Sequence, residues 1–167
     1  MNRTGIFLLL GIVLSGCAGT GSIPEKVRFD GVYRSQFSET RYGPAYDYLR
    51  FYPSGRVISS SLVGTPEEFW VSSFKANPFQ SQGEYQIKSG IINIQTKSQQ
   101  AKVDYSGAIV SEITLELQIY SKTTGITDAR YYVFMKIDPA QLPDWLKLRT
   151  MKVLKNGDTK LEDVPVK

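Results

Sequence analysis

Histidine is absent from the 167 residues, and cysteine occurs once, at Cys17. These absences exclude a serine–histidine or cysteine–histidine nucleophile pair and leave no thiolate and imidazole set for a structural zinc ion. Long apolar runs are lacking too: Ile6 to Leu14 is nine residues and includes Gly11, whereas a membrane-spanning helix needs about 20. Like charges form no blocks, and 20 basic against 16 acidic residues give a formal net charge of only +4. No nucleic-acid-binding face is expected from that balance. Gly19 and Gly21 do not follow a strand or open a helix, so they form no phosphate loop, and no calcium loop of spaced aspartates occurs. No metal or other cofactor is expected. What is present, 41% hydrophobic, 12% aromatic and 22% charged residues, fits one globular domain large enough to bury a core.

The first residues read as an address. Arg3 supplies positive charge, the Ile6–Leu14 run follows, and Leu14-Ser15-Gly16-Cys17 closes the segment. The run has the length of a secretory h-region. The four closing residues resemble the bacterial lipobox, in which small residues precede an obligatory cysteine. The resemblance implies that residues 1–16 are removed and that Cys17 becomes the lipidated N-terminus, carrying the acyl chains of a membrane anchor. Two or more chains hold a protein firmly, at about 0.8 kcal/mol per buried CH₂. Ala18, rather than aspartate, follows the cysteine; this resembles the class sorted to the outer membrane, facing the periplasm. Residues 17–28 are expected to be the lipidated end and a flexible tether, because 18–26 are small, polar and broken by glycine and proline.

From Phe29 to Ile137 the pattern has a period of two. In Glu112 to Tyr120, Ile113, Leu115, Leu117 and Ile119 share one face and polar residues take most of the other, as in a strand with one buried face. Further strands are expected at Phe29–Ser38, Tyr46–Tyr52, Arg56–Val63, Gly83–Ile87, Ile91–Thr96, Lys102–Val110 and Ala129–Ile137. Gly107 is a cheap place for a bulge, and the apolar run from Tyr131 to Met135 predicts a strand covered on both faces. Thr65-Pro66-Glu67-Glu68 reads as a capping box with proline in the first turn, opening a short helix through Phe69 and Trp70. Pro143-Asp144-Trp145-Leu146 suggests another helical turn, and Asn156-Gly157 a terminal hairpin. Residues 138–167 are thus expected to pack on the barrel as a short helix plus hairpin.

Eight sequential antiparallel strands favour a single up-and-down β-barrel, which leaves no exposed edge; a two-sheet sandwich is the alternative. Phe29-Asp30-Gly31-Val32-Tyr33 and Val103-Asp104-Tyr105 are similar to two motifs of the lipocalins, with Tyr33 in place of tryptophan and Val103 in place of threonine. The resemblance implies an arginine that closes one end of the barrel, for which Arg130 and Arg149 are the candidates.

The carboxylates Glu67, Glu68, Glu84, Asp104 and Glu112 show no spacing that assigns a hydrolytic pair, so no catalytic residue is expected. Aromatics gather before residue 80, at Tyr42, Tyr46, Tyr48, Tyr52, Phe69, Trp70, Phe74 and Phe79. They read as ordinary sheet and core residues, as the lining of a barrel mouth, or as anchors for a protein partner. Tyr48, Tyr52, Phe69, Trp70 and Phe74 are the candidate binding residues. The expected function is non-catalytic binding of an envelope protein or an apolar small molecule by a lipid-anchored domain. A lipocalin-like carrier, an envelope inhibitor or assembly factor, and a carboxylate hydrolase are the alternatives.

Overall fold

The computed structural model describes residues 26–40, 43–74 and 80–147. Eight strands follow one another: β1 (Gly31–Thr40), β2 (Gly43–Phe51), β3 (Arg56–Leu62), β4 (Ser81–Lys88), β5 (Ile91–Lys97), β6 (Lys102–Ser111), β7 (Thr114–Ser121) and β8 (Thr127–Lys136). Each pairs antiparallel with its sequence neighbour, and β8 returns to β1, closing an up-and-down barrel in the lipocalin-like manner. The sandwich alternative is excluded by that last pairing. Tight turns set the order: Ser89 and Gly90 both adopt positive φ between β4 and β5, the backbone that lets a two-residue hairpin match strand twist.

Close approach between strands explains two glycines. Side chains at Gly83 and Gly107 would point into the barrel, and an added Cβ would collide with the carbonyl oxygens of Gln95 and Glu116. The bulge expected at Gly107 lies elsewhere, between Ile109 and Ser111, where β6 reaches its turn.

The deep half of the barrel is filled by its own side chains. Tyr33, Phe51, Ile92, Ile109, Leu115, Leu117 and Phe134 are buried there, with Tyr33 edge-on to Phe51 and Phe134 at centroid separations of 5.5 and 5.2 Å. Packing begins before the first strand. Val27, expected in the tether, is buried in this cluster. The Arg28 guanidinium lies 4.4 Å from the Phe134 ring centroid and makes a two-point ion pair with Asp30. The Tyr33 hydroxyl accepts from the Arg28 backbone N–H and donates to the Glu112 carbonyl. Arg28 therefore closes this end; Arg130 stands at the opposite one, and Arg149 lies outside the described residues.

A second core covers the outside of β1–β3. Helix α1 (Pro66–Ser72) begins as its sequence predicts: the Thr65 hydroxyl accepts from the Glu68 N–H, and the Glu68 carboxylate accepts from the Thr65 N–H. Its Phe69, Trp70 and Val71 pack with Val32, Tyr48, Tyr52, Ile58, Ile137, Leu142 and Leu146. The last two residues come from the segment after β8, where a 3₁₀ turn (Pro139–Gln141) precedes a helical turn starting at Asp144. The terminal hairpin expected around Asn156-Gly157 falls outside the described residues.

Two faces differ from expectation. Tyr131 and Val133 are half-exposed, because the second core stops at the β1 side and leaves the outer face of β8 open there. Ile113 is likewise exposed: it occupies the β6–β7 turn, one residue before β7 begins.

Candidate functional site

The barrel interior changes character along its axis. Beyond Leu49 the inward position of β2 is Asp47, beyond Tyr33 on β1 it is Ser35, and before Tyr132 on β8 it is Arg130. Ser59, Ser61 and Thr96 take the corresponding positions on β3 and β5. Together these residues line the end opposite Arg28.

Arg130 organises that end. Its Nη1 pairs with the Asp47 carboxylate and its Nε donates to Asp128 Oδ2 at 2.7 Å. Asp47 is further held by the Ser61 hydroxyl, which donates to it, while its backbone N–H donates to Ser35 Oγ at 2.9 Å. The side chains of Asp47 and Arg130 are about four-fifths buried, so the pair is sheltered but reaches water. The Arg130 hydrogen bond, with the Ala129 N–H, holds the Asp128 carboxyl below the usual range. Burial disfavours the Arg130 charge, but Asp47 and Asp128 outweigh it and raise the guanidinium's pKa.

Beneath this cluster lie two tyrosines. Tyr105 is buried, and burial raises its pKa against the opposing hydrogen bonds with Ser59 and Thr96. Tyr132 is fully buried, its pKa pushed well above 10 by burial first and then by Tyr105 and Asp47. The Tyr132 hydroxyl has no hydrogen-bond partner among the described residues. A buried, unpartnered hydroxyl costs about 1–3 kcal/mol, so its place beneath this cluster calls for a structural or functional reason.

This end of the lumen is therefore polar: phenol hydroxyls lie beneath small hydroxyls and a guanidinium held between two carboxylates. It can hydrogen-bond a small polar molecule from several sides. It is poorly built for acid catalysis, which needs a carboxyl held protonated, since Arg130 drives Asp128 the other way. Among the described residues no three acidic or sulfur ligands converge to hold a metal ion, and no helix is long and apolar enough to cross a membrane.

No family model, no curated protein and no solved structure matches this chain.

The candidate aromatics come together, but away from the mouth. Tyr48, Tyr52, Phe69, Trp70 and Phe74 are at most 3% exposed and build the second core under α1. Phe69 stacks on Tyr48 at 5.1 Å, and Trp70 meets Phe74 edge-on at 4.5 Å. The Arg50 guanidinium sits among the rings of Tyr52, Trp70 and Phe74 and donates to the Trp70 carbonyl and the Ser73 hydroxyl. They neither line the mouth nor present an exposed surface. Cys17, Tyr42 and Phe79 lie outside the described residues.

The other carboxylates are dispersed. Glu84 and Asp104 are on the outer face, Asp104 paired with Lys122 at 2.7 Å, and Glu68 serves the helix cap. Glu67 borders a cleft of about 340 Å³ with Lys136 and Asp138, and Glu84 and Asp104 border one of about 370 Å³ that also takes in Gly83 and Thr96. The residues of the mouth were legible in one respect. Asp47 is in phase with Leu49 and Phe51, and Arg130 with Tyr132 and Phe134, so charges on the apolar face at the same end of two strands are the signal that locates it.

Proposed function

We propose that this is a non-catalytic binding protein, held in the bacterial cell envelope by lipid on Cys17, whose mouth takes a small polar ligand. The Tyr132 hydroxyl, without a partner among the described residues and lying beneath Asp47, Arg130, Ser59 and Thr96, carries the reading. An apolar occupant suits this barrel less well. The apolar half of the lumen is filled with side chains, and the half that opens is lined by hydroxyls and charges. The order of charged, apolar and small residues before Cys17 supports the anchor, and the chain enters the barrel at its closed end, leaving the mouth clear.

The test is a calorimetric screen of neutral saccharides, amino acids and fatty acids. Binding of a polar compound that disappears in Tyr132→Phe, with unchanged folding, is the expected result. Saturable fatty-acid binding that survives Tyr132→Phe would overturn the assignment and restore an apolar carrier. Half-exposed Phe37, Val63 and Ile126 near the mouth favour a second reading, a protein partner seated on the rim. In that case Val63→Ser with Ile126→Ser weakens capture, whereas Tyr132→Phe does not.

A further inference from the structure

We propose that the closed end of the barrel rests on the lipid surface, with the mouth turned away from it. The inference rests on the lipid-anchor reading and adds an orientation and a contact surface to it. Its observation is a row of exposed apolar side chains at the end where the chain enters. Ile91 opens β5, Val110 is the bulged residue just before β6 ends at Ser111, Ile113 sits in the β6–β7 turn, and Val133 is its neighbour on β8. Backbone bonds tie them into one rim: the Ile109 N–H donates to the Gly90 carbonyl, and the Phe134 N–H donates to the Ile113 carbonyl, both at 2.8 Å. All four side chains are 45–52% exposed.

The occupant is set by where the chain comes from. Val27 and Arg28 are fixed in the same end, and only residues 18–26 separate them from Cys17. A chain of that length spans at most about 36 Å even when fully extended. A lipid on Cys17 therefore keeps this end within that distance of the bilayer, and tethering makes even a weak apolar contact frequent. The flanking charges allow approach. Arg28 is neutralised by Asp30, and exposed Lys26, Lys88 and Lys136 at this end slightly outnumber exposed Glu112 and Asp138, so no negative excess repels an anionic bilayer. Phe37, Val63 and Ile126 are exposed at the opposite end, which makes them the control.

The experiment uses lipidated protein from its host, in vesicles of phosphatidylethanolamine and phosphatidylglycerol. Its single native cysteine is consumed by the lipid, so Ile113→Cys or Ile126→Cys can be labelled alone with an environment-sensitive fluorophore. The label at position 113 is expected to shift to the blue and to lose emission to spin-labelled lipid, while that at 126 does neither. Equal or stronger quenching at 126, or none at either position, overturns the orientation. The mass of the N-terminal peptide is read on the same sample. An unacylated Cys17 overturns the anchor reading and the orientation with it, whereas an acylated Cys17 with an unquenched label at 113 overturns the orientation alone.

Discussion

Arg130 on β8 reaches past β1 to the carboxylate of Asp47 on β2, 83 residues earlier in the chain, and so ties together the strands on either side of the first. The pair also neutralises the deepest charges in the mouth. Asp128 and the Ser61 hydroxyl complete their hydrogen bonding.

Breaking that pair from one side leaves a partly buried charge. Asp47→Leu is expected to cost about 1–3 kcal/mol, between the values for exposed and buried ion pairs. Part of the loss should return in the Asp47→Leu, Arg130→Leu double variant. Urea unfolding of the four proteins measures it. A strictly additive double variant would mean that the two side chains do not interact.

Tyr132→Phe removes a hydroxyl that has no partner among the described residues. The variant should be as stable as the parent or more stable by about 1 kcal/mol, as read by its denaturation midpoint. A clear loss of stability would mean that the hydroxyl already has a partner in the unliganded protein.

Gly107→Ala and Gly83→Ala place a methyl group against a neighbouring strand's carbonyl oxygen. Backbone rather than a yielding side chain receives the clash, so each should lose about 2 kcal/mol or more. Thermal unfolding followed by circular dichroism reports it. A shift no larger than that of an exposed control such as Ser106→Ala would contradict the strand spacing.

Alkaline pH should destabilise the barrel through its tyrosines. Burial pushes Tyr33 and Tyr48 up to about 12, and Tyr132 well above 10. An unfolded tyrosine titrates near 10. Between about 10 and 12 the unfolded chain gives up protons that the native chain keeps, so stability is flat below 10 and falls through that window. Tyrosinate absorbance should rise in step with unfolding. Full ionisation near 10 with the fold intact would refute the burial of these rings.

Cys17→Ser removes the acceptor for lipid. The variant should move from the membrane fraction to the soluble one on cell fractionation. If it stays with membranes, the retention has another cause.

Much of the fold was legible because the barrel's constraints are local. Alternation in Leu115, Leu117 and Ile119 marks a half-buried strand, and Thr65 with Glu68 marks a helix start through two specific hydrogen bonds. Register and closure come from the same alternation, with one buried face repeated eight times. What alternation does not reveal is which outer faces are covered. Tyr131 and Val133 are as apolar as Val32 and Ile58, yet α1 and the segment after β8 reach only the latter two. For the same reason the aromatics of 48–74 read as a possible binding surface until the helix is seen to lie on them. The mouth was less legible, because Asp47 and Arg130 are far apart in sequence and meet only when β8 closes on β1.

The central claim, a lipid-held protein with a polar ligand in its mouth, is tested most directly by native mass spectrometry of material released from host membranes in mild detergent. The account predicts an acylated chain beginning at Cys17, carrying a small polar molecule that is missing from Tyr132→Phe. An unacylated chain that still carries residues 1–16, with no bound molecule, would contradict it.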